Sequence, residues 1–173
     1  RCDSLAVYVA TDQVEQGATV AAVAEGAALG AYRFERYKTG DRISKYSLQK
    51  VSILSTGKVN AAMRELAARG QAVGDAVCIA RDLINAPPND LYPEALGKFS
   101  KDMCAERKAA GLTCTVLNHS QIKAKGMNLI DAVGRGSRRG PVLVHMKYRP
   151  PGAKKDAALK RLVFVGKGIT FDT

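Results

Sequence analysis

Arg161-Leu162-Val163-Phe164-Val165-Gly166-Lys167-Gly168-Ile169-Thr170-Phe171-Asp172 is an apolar run that stops at a lysine between two glycines, with an aspartate five residues beyond the lysine. Leu162 to Val165 has the composition of a buried strand. In open α/β sheets ligands gather at the carboxyl ends of strands, and glycine lets the backbone turn and approach closely there. The stretch therefore predicts an α/β sheet with a site at a strand end.

Two chemistries fit a lysine in that place. A phosphate-binding P-loop needs a glycine five residues before the final Gly and a Ser or Thr directly after the Lys. Those positions hold Arg161 and Gly168, so the nucleotide reading fails on both. Metal ligation fits better: Asp172 offers a hard carboxylate oxygen, and Lys167 can ligate as the neutral amine, a state that burial and the cation itself favour. A surface lysine after a strand and a capping aspartate remain open as the plainer alternative.

Working back from this stretch, Val142 to Tyr148 reads as a strand, and the connection from Arg149 to Lys160 is too short for an ordinary crossover helix. The two strands are expected to be antiparallel neighbours in a mixed sheet. Gly134-Arg135-Gly136-Ser137-Arg138-Arg139-Gly140 is a loop, and its glycines do not join a strand to a helix N-terminus in the order a phosphate cradle needs. His119 and His145 each stand alone and read as structural or surface residues. Ser120 is the expected cap of a short helix ending near Gly126, and Asn128 to Val133 forms another.

Leu112 to Leu117 reads as a strand that follows a helix stopped by Gly111. That helix opens at Pro93 with Glu94 beside it, and Leu96, Phe99, Met103 and Ala110 form its expected buried stripe. Pro87 and Pro88 end a long helix beginning near Lys58. Its apolar positions, Val59, Met63, Leu66, Val73, Val77, Ala80 and Ile84, lie at helical spacing, with Gly70 and Gly74 weakening the middle. Before it, Leu5 to Val9 and Val51 to Leu54 read as strands around a helix that Thr11 and Asp12 cap and that runs to about Phe34.

Composition bounds the function classes. The 173 residues are 46% hydrophobic and 25% charged, ordinary globular values. Apolar runs fall far short of the roughly 20 residues that span a bilayer, and no charged-then-apolar leader opens the chain, so no membrane partner or secretion is expected. The four cysteines, Cys2, Cys78, Cys104 and Cys114, have no CxxC pairing and no histidine at ligand spacing, which fits reduced thiols and argues against a thiolate zinc site. The net charge of +11 is spread from Lys98 to Arg161 without interleaved aromatics, so DNA is a minor alternative partner. An opening Arg1-Cys2-Asp3 and a close at Thr173 lead us to expect a piece of a longer protein.

Val165-Gly166-Lys167-Gly168-Ile169-Thr170-Phe171-Asp172 closely resembles the start of the metal-binding signature of the leucine (cytosol) aminopeptidase family. Arg81-Asp82-Leu83-Ile84-Asn85-Ala86-Pro87-Pro88-Asn89 resembles the segment that opens that family's catalytic domain. Gly126-Met127 and Ala132-Val133-Gly134-Arg135-Gly136-Ser137 match in order and spacing, and the resemblance is continuous from about Val23. Tyr92 departs from it, standing where the family often has a hydroxyl cap.

The resemblance implies an α/β chain in three parts. These are the end of a small N-terminal α/β domain (1–57), a connecting helix (58–84), and the first part of a mixed-sheet, zinc-peptidase-like catalytic domain (85–173). It implies a cytoplasmic metallo-aminopeptidase, homo-hexameric when complete, that releases N-terminal residues such as leucine from peptides. Two divalent ions, Mn or Zn, would activate a water; Lys167 would ligate one and Asp172 bridge both. The family's further acidic ligands, second lysine and arginine fall beyond Thr173. No catalytic residue lies within this chain on that reading, and the chain alone is expected to be inactive. The alternative is a non-catalytic DNA-binding or scaffold protein on the same fold.

Overall fold

The structure, a computed structural model, describes residues 3–9, 13–55, 58–153 and 160–170. The chain divides into two compact units after Asn85. Both combine helices with short strands, and the α/β class is as the sequence predicts.

In the first unit, β1 (Ser4–Val9) runs parallel to β2 (Lys50–Ser55), in register from Ser4 opposite Lys50 to Val9 opposite Ser55. Parallel strands cannot be joined by a tight turn. The crossover is α1 (Gln13–Ala31), whose alanines favour helix. Its expected caps, Thr11 and Asp12, lie outside the described residues.

Against α1 packs α2 (Ala61–Asn85), whose first turn is capped by Asn60: its Oδ1 accepts from the Met63 amide at 2.9 Å. The contact face differs from the one predicted. Val73, Val77 and Ile84 are 45, 40 and 80% exposed, whereas Gly70 and Gly74 are buried. A Cβ at Gly70 would sit 2.0 Å from the Ala21 carbonyl oxygen, and one at Gly74 would sit 2.6 Å from Ala28 Cβ. The interface is set by how closely two backbones approach, and that selects for small residues over large apolar ones. The glycines are thus the seam between the helices, not a weak point in α2.

The second unit begins with α3 (Pro93–Glu106), entered through an extended Tyr92 that makes no side-chain cap. Gly97, Ser100 and Cys104 are its buried positions, with Leu96, Phe99 and Met103 half-buried on either side. Ser100 Oγ donates to the Leu96 carbonyl at 2.8 Å, which satisfies the buried hydroxyl. Ala110, predicted in this stripe, is exposed, because the helix ends at Glu106 and a tighter turn over Lys108–Ala110 rotates it away. Gly111 then turns the chain with φ of 89°, and a Cβ there would meet the Arg149 carbonyl oxygen at 1.8 Å.

Gly111 leads into β3 (Leu112–Leu117), which pairs antiparallel with β4 (Leu143–Tyr148), Leu112 opposite Tyr148 and Leu117 opposite Leu143. Between them lie α4 (His119–Ala124) and α5 (Asn128–Gly134). Asn118, rather than Ser120, caps α4: its side chain accepts from the Gln121 amide at 2.9 Å while Gln121 Oε1 accepts from the Asn118 amide at 3.0 Å. That reciprocal pair satisfies two donors, which a serine inside the first turn cannot do.

The antiparallel partnership predicted for Leu162–Val165 is not formed. Residues 160–170 have no regular structure, and β4 pairs with β3. The Arg149 amide donates to the Gly111 carbonyl at 2.9 Å, extending the β3–β4 pairing beyond Tyr148. Leu162, Val163, Phe164 and Val165 are 80, 75, 87 and 93% exposed, an apolar run with the composition of a buried strand and no sheet over it.

Candidate functional site

Lys167 stands just past this run, exposed and outside regular structure. Asp172 lies outside the described residues. Among the described residues no three His, Cys, Asp or Glu side chains come together in a group able to hold a metal ion. An amine ligand must be neutral and is favoured by burial, which Lys167 lacks here. The described residues therefore do not fit a metal centre by themselves.

The segment from Arg81 to Asn89 is built into the first unit's helix pair and the turn that follows. The Arg81 guanidinium lies 3.8 Å from the centre of the Tyr32 ring and donates to the Leu29 carbonyl at 3.1 Å. Tyr32 donates its hydroxyl proton to Asp82 Oδ1 at 2.8 Å and accepts from Asn85 Nδ2 at 3.0 Å. Desolvation pushes the Tyr32 phenol above its ordinary range, against the Asn85 hydrogen bond and with the Asp82 carboxylate. Beyond Asn85, Pro87 turns the chain, its carbonyl accepting from the Asp90 and Leu91 amides at 2.9 Å each. The motif's polar residues thus clamp α2 to the end of α1.

Gly126 (φ 66°) folds α5 back beside α4, and this turn assembles a polar cluster that spacing alone did not reveal. His119, read as solitary, has Nε2 2.6 Å from Asp131 Oδ1, and Lys123 Nζ lies 3.8 Å from the same oxygen. The His119 hydrogen bond holds the Asp131 carboxyl below the usual carboxylate range, helped by the charges of Lys123 and Arg135 and opposed by desolvation. A histidine and an aspartate twelve residues apart, with a glycine turn between, were the available signal.

Loop 135–140 closes against the same cluster. A Cβ at Gly140 would sit 2.8 Å from His119 Nδ1, and one at Gly134 would sit 2.6 Å from the Pro141 ring. Arg139 lies 3.6 Å from the centre of the Tyr92 ring. Arg36 also lies over Tyr37, so three arginines of this basic chain are spent on its own tyrosines. In the first unit an open cavity of about 800 Å³ is bordered by Tyr32, Val51, Ile53, Met63, Ala67 and Gln71 and carries no cluster of acids or nucleophiles.

The sequence profile of the "Cytosol aminopeptidase family, catalytic domain" matches residues 78–173, from the end of α2 through the whole second unit. The chain belongs to the cytosol aminopeptidase family. A probable cytosol aminopeptidase of Mycobacterium marinum is 39% identical over 155 residues, covering 88% of this chain and 29% of the relative. One from Corynebacterium diphtheriae is 40% identical over 149 residues, covering 86% and 28%. The chain thus spans under a third of the curated relatives it matches.

Among solved structures, the bottromycin maturation enzyme BotP in complex with Mn is similar at TM-score 0.69 and 31% identity, over 87% of this chain and 30% of BotP. A tomato leucine aminopeptidase mutant matches at TM-score 0.72 over the same shares with 22% identity, a likeness of fold. The family is one of peptidase enzymes, and the α/β peptidase-like fold agrees with the resemblance carried by Arg81–Asn89 and Val165–Asp172. Among the described residues no helix is long and apolar enough to cross a membrane.

Proposed function

We propose that this chain is part of a metallo-aminopeptidase that releases N-terminal residues, leucine among them, from peptides. The observation that carries this reading is the family match running unbroken through residues 78–173, with the Lys167–Asp172 stretch inside it. Lys167 and Asp172 are the residues of this chain assigned to hold metal, with two divalent ions, Mn or Zn, as the cofactors. Such a pair supplies an activated water and a polarised carbonyl when bound. The similarity to a manganese complex of BotP supports divalent-metal use.

On this reading residues 1–57 close a small N-terminal domain, 58–84 form a connecting helix, and 85–173 begin the catalytic domain. The complete protein would be a cytoplasmic homo-hexamer acting on peptides. The 173 residues alone would be inactive, because Lys167 and Asp172 are too few donors for two ions.

The test is leucine release from leucyl amide by the full-length protein, with added manganese or zinc, and with chelator. Activity should need the metal and fall about a hundred- to a thousandfold in Lys167→Ala and Asp172→Ala, the scale of losing an electrostatic catalytic element. Full activity with chelator present, or in both variants, would overturn the assignment.

A further inference from the structure

We propose that Cys104, Cys114 and Met146 form a binding site for a soft cation, copper(I), where α3 lies over the β3–β4 pair. Along β3 the half-buried residues Leu112, Cys114 and Val116 alternate with exposed Thr113 and Thr115, so Cys114 is on the face that meets α3. Met146 is its direct partner on β4 and shares that face. The bond from the Arg149 amide to the Gly111 carbonyl makes those two residues a hydrogen-bonded pair. Such pairs alternate along an antiparallel ladder, so Cys114 and Met146 form a non-hydrogen-bonded pair, the closer kind, with Cβ atoms about 5 Å apart.

The third sulfur comes from α3. A Cβ at Gly97 would sit 2.9 Å from Val116 Cγ1, which fixes the helix on the strand. Cys104 lies about two turns farther along the same buried face. Because the chain reverses at Gly111, that end of α3 lies over the Cys114 end of β3. Cys104 is 4% exposed, and its thiol and that of Cys114 are hydrogen-bonded to each other. Two thiols in contact, with a thioether across the strand pair, make a sulfur-only donor set.

Thiolate and thioether sulfurs are soft donors, the set that selects copper(I) over harder cations. A structural zinc site takes four ligands, and among the described residues no third His, Cys, Asp or Glu joins the two thiols. Copper(I) is satisfied by fewer. On binding, each thiol gives its proton to water and the metal keeps its oxidation state. Copper(I) with two thiolates carries one net negative charge, which Lys101, whose charge already acts on Cys114, offsets. Cys104 is closed to solvent while Met146 is 39% exposed, so the ion enters past the thioether.

Anaerobic titration of the chain with copper(I), in competition with a copper(I) chelator, tests the site. Wild type should hold one ion. Cys104→Ala and Cys114→Ala should each weaken binding at least about a hundredfold, the upper scale for losing even a supporting partner of a metal ligand, and Met146→Leu about tenfold. Cys78→Ser should bind as wild type does. No binding by wild type, or equal binding by wild type and any of the three site variants, would overturn the assignment. If the cysteine variants do not fold, wild type decides: copper(I) must slow iodoacetamide labelling of Cys114 and not of Cys78, and equal slowing or none rejects the site.

Discussion

Gly70 and Ala21 approach so closely that a Cβ on residue 70 would lie 2.0 Å from the Ala21 carbonyl oxygen and 2.8 Å from its carbon. The neighbour is backbone, which cannot rotate aside as a side chain would. Gly70→Ala is therefore expected to pry α2 from α1, at a cost of about 3 kcal/mol, the upper range for overpacking. Helix propensity acts the other way, by about 1 kcal/mol in favour of alanine, and is outweighed. Urea unfolding of the variant should show a lower midpoint; an unchanged or higher midpoint would mean that the helices are farther apart than described.

Gly26 is the control for that argument. It lies in the same helix pair, on α1, but a Cβ there meets nothing within 4 Å. With no contact to oppose it, helix propensity decides the sign, and Gly26→Ala should stabilise by roughly 0.5–1 kcal/mol. The same urea measurement checks it, and destabilisation would show that the exposed face of α1 is covered.

These two glycines also show what the sequence makes legible. The elements themselves were readable, because alanine runs, proline stops and β-branched runs act locally, and β1, α1, β2, α2 and β3 all fall close to their predicted positions. The packing face of α2 was not, since Val73, Val77 and Ile84 carry the helical period while Gly70 and Gly74 make the contact. Strand pairing was legible only in part: β4 pairs with Leu112–Leu117, while Leu162–Val165, apolar enough for a strand, is outside regular structure, because composition alone does not supply a sheet edge. Lys167 and Asp172 are assigned to the proposed site through a motif alone, whereas the His119–Asp131 contact needs the Gly126 turn to bring together residues twelve apart.

Asp131 gives an acid-range prediction. Its carboxyl is held below the ordinary range in the folded chain, first by the His119 hydrogen bond. A depressed carboxyl contributes stability that is present above its unfolded pKa, near 4, and is lost as pH falls through the folded value. Wild type should therefore exceed Asp131→Asn in stability at about pH 6, and the gap should close on acidification. Urea midpoints of both proteins across that range check this; a gap that persists below about pH 2 would mean that the carboxylate charge is not its source.

Cys114 gives a prediction about reactivity. Burial pushes its thiol above the ordinary range, with the neighbouring Cys104 thiol acting in the same direction and Lys101 against it. The thiolate is the reacting form, so Cys114 should be alkylated by iodoacetamide at least about tenfold more slowly than a small free thiol at about pH 8. Its rate should still be rising above about pH 9, where an ordinary thiol levels off. Peptide mass spectrometry over time reads the rate, and labelling as fast as the free thiol would show that Cys114 is neither desolvated nor paired with Cys104.

The last prediction concerns the apolar run itself. Leu162, Val163, Phe164 and Val165 are 75–93% exposed, and both faces of the segment are bare. Such a patch binds apolar dyes, and four consecutive exposed apolar residues outside regular structure are a template for pairing with a second chain. The 173-residue chain should therefore enhance the fluorescence of an apolar dye and scatter light increasingly with concentration. Phe164→Lys places a charge where it blunts edge pairing, so it should reduce both signals several-fold. It should leave the urea midpoint unchanged, because Phe164 is 87% exposed and contributes little burial to the folded chain. A drop in that midpoint would show that the run is packed after all, and that Lys167 beside it sits in a built site.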